Sequence, residues 1–202
     1  MRYHRGMYER KDAWYRKAKR EGYRSRAAYK LAEIAAAENV ARPGAYVIDA
    51  GAAPGGWSQV LLELVGKRGK VAAVDILPMD PLPAANFRFF RDDVTLPSLP
   101  PRLLAYFGRE ADAVVSDAAP NTTGVSFADQ ARSADLVRAV HALAGRTLRK
   151  GGTFLAKIFD GAEADAVMQE LKGSFSRVRR VRPGATRRES FEIYLLATGF
   201  KG

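Results

Sequence analysis

Apolar positions in this chain follow two periods. Ala28, Leu31, Ile34 and Ala35 recur at helical spacing in a run that begins at Ser25 and reaches about Val40, where Arg42, Pro43 and Gly44 break it. From Ala45 to Ala50 the residues are almost continuously apolar, as in a strand buried on both faces. The glycine-rich stretch GAAPGG follows, and then an apolar helix from about Trp57 to Val65, so that strand, loop and helix succeed one another. After Gly66 and Gly69 the pattern predicts a second strand at Lys70 to Ile76, a weaker third around Phe87 to Phe90, and a fourth from Ala111 to Ser116 that ends at Asp117. A long helical pattern covers about Ala128 to Leu148, with Gly151 and Gly152 stopping it before a strand at Thr153 to Phe159. One more helix near Glu163 to Leu171 precedes strands near Arg177 to Arg182 and Phe191 to Thr198. Strands alternating with helices predict an α/β fold built on a doubly wound sheet.

At 202 residues, with no repeat or low-complexity linker, the chain fits one compact domain. Its first 26 residues differ from the rest. They are dense in basic side chains (Arg2, Arg5, Arg10, Lys11, Arg16, Lys17, Lys19, Arg20, Arg24 and Arg26), interleaved with Tyr3, Tyr8, Trp14, Tyr15 and Tyr23, and show little apolar periodicity. Residues 1–26 therefore read as a basic extension or surface layer, and residues 27–202 as the folded domain. Such a segment can neutralise phosphates while its aromatic rings stack on unpaired bases, which suits an RNA-contacting arm; a solvated terminus is the plainer alternative. Across the chain 33 Lys and Arg face 22 Asp and Glu, a net charge of +11 that points to a polyanionic partner. Charge alone does not separate RNA from DNA, from an anionic membrane surface, or from a generally cationic soluble protein.

The absence of cysteine excludes disulfides, thiolate zinc sites and thiol nucleophiles, and His4 and His141 are the only imidazoles. No apolar run approaches the roughly 18 residues that span a bilayer, and the charged beginning lacks the apolar segment of a secretory signal. These features predict a soluble, cytoplasmic protein, with Glu9, Asp12 and Glu21 counting against an organellar transit peptide.

Ligands of open α/β sheets collect at the carboxyl ends of the strands, so candidate chemistry lies just after each apolar run. In DAGAAPGG, small residues such as Gly51 and Gly55 let the backbone approach a ligand, and Asp49 ends the strand with a carboxylate. The stretch is not the dinucleotide pattern GxGxxG, and Pro54 removes a backbone donor, which disfavours a pyrophosphate cradle. Asp75, at the end of the next strand, can accept from both ribose hydroxyls of a nucleoside, and Asp93 or its neighbour Asp92 can accept from an adenine amine. A nucleoside without phosphates satisfies these features, and S-adenosylmethionine is such a ligand.

Asp117 closes the fourth strand, and Lys157 lies inside the apolar strand TFLAKIF, where a lysine needs a reason unless it snorkels from a sheet edge. Facing the ligand, its amine can serve as a base on a weakly acidic hydroxyl, with Asp117 and Glu192 positioning it and Lys30 orienting the substrate or steadying an alkoxide.

At this point SRAAYKL, DAGAAPGGWSQ, DILPMDP, SDAAPNTTG, GGTFLAKIF and EIYLLATG, in that order, resemble the FtsJ (RlmE-type) family of ribosomal RNA 2′-O-methyltransferases from about Ser25 to the C-terminus. The resemblance implies a Rossmann-like S-adenosylmethionine-dependent methyltransferase fold with a mostly parallel seven-stranded sheet and helices on both faces. It also implies a catalytic tetrad at Lys30, Asp117, Lys157 and Glu192, with Lys157 as proton acceptor. Cofactor positions fall on Gly55, Trp57, Asp75, Asp93 and Asp117, and the reaction needs no metal. The implied partner is ribosomal RNA, at a uridine of the large subunit and often in the assembled particle, for a protein acting as a monomer. Asp92-Asp93 stands where the family has Gly-Asp, and Glu189 is an alternative three residues before Glu192. A transfer RNA 2′-O-methyltransferase, a non-catalytic RNA-binding ribosome assembly factor and a nicotinamide-dependent oxidoreductase remain as other readings.

Overall fold

The computed structural model describes residues 16–120, 123, 126–186 and 190–202. Five helices and seven strands are bounded within that span: α1 (Ala27–Ala37), β1 (Tyr46–Ala50), α2 (Gly56–Val65), β2 (Lys70–Asp75), β3 (Phe87–Arg91), α3 (Leu99–Phe107), β4 (Ala111–Ser116), α4 (Ser126–Thr147), β5 (Leu148–Phe159), α5 (Ala162–Ser174), β6 (Phe175–Val181) and β7 (Glu192–Phe200).

The strands form one sheet in the order β3-β2-β1-β4-β5-β7-β6, parallel throughout except for β7, which runs against both neighbours. Strand order reverses between β1 and β4, which are directly paired, so the loops after these two strands diverge and leave a crevice. Both faces are covered. On one, Leu31 and Ile34 of α1 and Val60 and Leu61 of α2 pack on Val47, Val71, Val115 and Leu155. On the other, Leu103, Val137, Val140 and Leu171 from α3, α4 and α5 pack on Ile48, Val74, Val114 and Phe154. Burial on both sides explains why the central strands read as continuous apolar runs instead of alternating. Each fully buried Leu, Ile or Phe in these layers contributes roughly 1.5–3 kcal/mol by leaving water.

Two elements depart from the sequence pattern. Helix α3 is absent from it; in the structure Pro100 and Pro101 occupy the first helical turn, whose amides have no intrahelical acceptor to lose. Leu99, Leu103 and Phe107, four residues apart, then bury one stripe of α3 against the sheet. The second departure concerns β5, which begins at Leu148 and not at Thr153: Leu148 follows directly on α4, pairs with Ala111 and draws Gly151 and Gly152 into an early, bulged part of the strand.

Residues 16–26 form a layer on α2. Residues 16–20 are helical, and Ala18 is buried. The Tyr23 hydroxyl donates to Glu63 at 3.1 Å, and the Arg24 amide donates to the Gln59 side chain at 2.8 Å. The earlier part of the basic segment, with Arg2, Tyr3, His4, Arg5, Tyr8, Arg10, Lys11, Trp14 and Tyr15, lies outside the described residues, as does Glu189. Among the described residues no helix is long and apolar enough to cross a membrane.

Candidate active site

At the carboxyl ends of β1, β2, β3 and β4, walled on the far side by α4, lies a cleft of about 620 Å³. Its size suits a nucleoside-scale ligand. Gly51 sets the floor: it adopts φ +76°, and a Cβ there would lie 2.4 Å from the Ala118 Cβ, so the loops after β1 and β4 pass in contact only because the side chain is missing. Asp75 is fixed from both sides, one carboxylate oxygen accepting from the Ala53 amide at 2.9 Å and the other from the Leu77 amide at 2.8 Å. Each oxygen keeps a second lone pair for a ligand hydroxyl. Asp92 and Asp93 both border the cleft but differ in commitment: Asp92 is ion-paired with Arg102, whereas Asp93 turns one oxygen to the Thr95 amide and hydroxyl at 2.9 and 2.8 Å.

The cleft runs against the charge of the whole chain. In a protein of net charge +11, its walls carry five aspartates (Asp75, Asp92, Asp93, Asp117 and Asp135) and one arginine, Arg132. Such a lining favours a cationic ligand and opposes a pyrophosphate.

Asp117 belongs to the cleft and also to a second constellation. Parallel pairing sets Ser116 beside Ala156, so the next residues, Asp117 and Lys157, meet at the strand ends. The Lys157 amine donates to the Asp117 backbone carbonyl at 2.7 Å and lies 3.2 Å from its carboxylate and 3.9 Å from that of Glu192. Glu192 in turn accepts from Lys30 at 2.6 Å, which joins α1 to β7. Burial alone would raise the Glu192 carboxyl, but the hydrogen bond from Lys30 and the charges of both lysines hold it below its ordinary range. Lys30 and Lys157 are themselves buried, so neither amine snorkels to solvent. The structure thus brings together Lys30, Asp117, Lys157 and Glu192, which are spread over 163 positions of the chain.

Tyr194 completes this group and was not singled out by the sequence pattern. It pairs directly with Lys157 across the β5–β7 ladder, is fully buried, and donates its hydroxyl to the Asp117 carboxylate at 2.7 Å. Burial and the Asp117 charge push its phenol far up, so it remains a donor through neutral and alkaline pH. The available signal was its spacing: two residues after Glu192 in a strand, it shares that residue's face.

Three other positions sit beside the cleft but not on its wall. The Trp57 ring stacks on Tyr194 at 5.7 Å between centroids and donates to the Ala27 carbonyl at 2.9 Å, so its side chain is structural. Gly55 has φ +109°, and a Cβ there would press on Met79 and Arg24. Asp49 is wholly buried beneath α2; one oxygen accepts from the Ser58 hydroxyl at 2.6 Å and the other has no partner in the structure. Burial, reinforced by the Asp117 and Asp75 charges and opposed by the Ser58 hydrogen bond, pushes its carboxyl up to about 7.

Comparison with known proteins adds four findings. The family model for FtsJ-like methyltransferases matches residues 23–200. The Ribosomal RNA large subunit methyltransferase E of Methanothermobacter thermautotrophicus is 44% identical over 199 residues, covering 98% of this chain and 94% of that protein. Its namesake from Rhodopseudomonas palustris is 47% identical over 194 residues, covering 95% and 81%. Among solved structures, a ribosomal RNA methyltransferase from Plasmodium falciparum superposes with a TM-score of 0.80 at 29% identity, over 89% of this chain and all of that one.

Proposed function

This chain belongs to the FtsJ-like methyltransferase family, and we propose that it transfers the methyl group of S-adenosylmethionine to the 2′-hydroxyl of a uridine in large-subunit ribosomal RNA. One observation carries the reading. A buried lysine amine, Lys157, is anchored by Asp117, and Asp117 also borders an acidic cleft of nucleoside size.

The residues present fit the cofactor. Asp75, with a lone pair left on each oxygen, accepts from the ribose hydroxyls, and Asp93 accepts from the adenine amine, since Asp92 is held by Arg102. Gly51, Gly55 and the backbone at Trp57 let the glycine-rich loop close on the ligand, while Asp117 on the cleft wall supplies negative charge for its cationic end. When bound, S-adenosylmethionine supplies a methyl group activated by its sulfonium charge.

The chain's own residues handle the hydroxyl. A neutral lysine amine has two N–H groups and one lone pair. At Lys157 the Asp117 carbonyl and carboxylate take the two donors, which leaves the lone pair on Nζ to accept the 2′-hydroxyl proton as the oxygen gains the methyl group. Glu192 holds Lys30 at the same end of the sheet, where its ammonium steadies the developing negative charge on oxygen. Alignment of the oxygen with the methyl carbon supplies most of the rate, and base catalysis adds roughly 10²- to 10⁴-fold.

Ribosomal RNA of the large subunit is the substrate named for the two relatives, and the net charge of +11, concentrated in residues 1–26, supports a polyanion. The reading is of a cytoplasmic monomer. Its test is transfer of a radiolabelled methyl group to undermethylated large ribosomal subunits, beside small subunits and bulk transfer RNA. Label mapped to a ribose of the large subunit is expected; label in transfer RNA alone would replace the substrate, and no label despite cofactor binding would refute the activity.

A further inference from the structure

Five large apolar side chains are exposed among the described residues: Ile76, Leu77, Leu96, Phe127 and Phe191. Single exposed apolar residues scattered over a surface need no explanation. These five share one edge of the sheet. Ile76 and Leu77 follow β2, Leu96 follows β3, and Phe127 opens α4 after the loop from β4; Phe191 precedes β7, whose reversed direction brings its first residue to the same edge. Ile76 and Leu77 border the cofactor cleft, whereas the two phenylalanines do not.

Phe127 and Phe191 flank the catalytic end instead. Phe191 is bonded to Glu192, and its carbonyl accepts from the Asp160 amide at 2.7 Å, just past the end of β5. The first turns of α4 abut the same segment: Ser133 accepts from the Phe159 amide at 3.1 Å, and a Cβ on Gly161 would lie 2.3 Å from the Gln130 side-chain oxygen. Phe191 thus directly precedes Glu192, and Phe127 opens the helix whose Gln130 and Ser133 meet the segment at 159–161; both rings are exposed, 73% and 75%, whereas Lys157 is only 7% exposed.

The recessed amine sets a steric condition. An A-form helix displays its 2′-hydroxyls on a wide, shallow minor-groove surface, and such a surface cannot insert a hydroxyl into a recess unless the nucleotide leaves the helix. A nucleotide that leaves the stack exposes two aromatic base faces, and protein aromatic rings are the usual surface that takes them. Resting on the RNA methylation reading above, we infer that Phe191 and Phe127 form a stacking platform for unpaired bases at and beside the target nucleotide. Base-paired helices, whose base faces are already stacked on one another, do not engage the two rings. The chain's net charge of +11 suits the same occupant, because phosphates reach the edge together with the bases.

Binding of a labelled oligouridylate and of a blunt RNA duplex of equal length, compared at about 0.2 M salt where phosphate contacts are weakened, tests the proposal. Wild-type protein should prefer the single strand. Phe191→Ala and Phe127→Ala should each weaken single-strand binding by roughly 5- to 100-fold, the value of one lost base stack, and Phe191→Trp should restore it. Affinity for S-adenosylhomocysteine and the thermal midpoint should not move, since both rings are exposed. Equal binding of duplex and single strand, no binding of either, or alanine variants that bind like wild type would each overturn the platform. The subunit methylation assay reads separately: binding as expected with no methyl transfer would sink the reaction while leaving the platform standing.

Discussion

Asp49→Asn should make the ligand-free protein more stable at alkaline pH. Asp49 is fully buried, and burial, aided by Asp117 and Asp75, raises its carboxyl to about 7 despite the Ser58 hydrogen bond. In the unfolded chain an aspartate titrates near about 3.9. The folded value is the higher one, so between the two the folded state holds a proton that the unfolded state has released. Stability therefore falls as pH rises through that window, by about 1.4 kcal/mol per unit, and levels off above it. A gap of about three units amounts to roughly 4 kcal/mol, of which some 2–3 kcal/mol develops between about pH 5 and pH 8. Asparagine keeps the shape, can still accept from Ser58 and cannot ionise. Denaturant unfolding of both proteins at several pH values over that range should show their stability difference widening by this amount in favour of the variant. Parallel curves, or a variant that is the less stable at pH 8, would refute the assignment.

Further outcomes follow from the same geometry. Lys157→Ala should abolish methyl transfer with cofactor affinity nearly intact by calorimetry, whereas Asp75→Ala should weaken cofactor binding first; the reverse pattern would exchange their roles. Arg24→Lys should lower cofactor affinity about tenfold without touching the ligand, since the Arg24 guanidinium ties the Pro54 carbonyl of the glycine-rich loop to the Asp80 and Pro81 carbonyls of the loop after β2, a span one ammonium cannot make. Tyr194→Phe should cost roughly 1–3 kcal/mol in unfolding free energy by removing a buried donor from the Asp117 carboxylate; an unchanged midpoint would show that water replaces the hydroxyl.

Much of the site was legible in the chain because its chemistry interrupts strong local patterns. A lysine inside TFLAKIF and carboxylates closing successive apolar runs stand out wherever strands are buried on both faces, and the end of a strand in such a sheet is where ligands bind. Helix α3 was hidden by the opposite effect: its prolines obey a rule of helix starts that looks like a helix break until the buried stripe of Leu99, Leu103 and Phe107 is seen. The start of β5 was placed late for a related reason, because pairing of Leu148 with Ala111 carries the strand through the glycines that follow.

Element order, the apolar strands and the identity of the chemically unusual residues are properties of the sequence, since they depend on periods of two and 3.6 residues that any local window contains. The tertiary structure decided which of those residues stand together. Asp92 and Asp93 are equivalent as neighbours in the chain, and the fold separates them by pairing Asp92 with Arg102 of α3 and Asp93 with Thr95. Trp57 stands out in the glycine-rich motif, and only the fold sets its ring against Tyr194 and the Ala27 carbonyl. Tyr194 joins the site only because antiparallel pairing sets it opposite Lys157, and Asp49 carries a raised carboxyl only because α2 closes over it. Strand register, burial and charge at a distance are sums over residues far apart in the chain, so no local pattern contains them.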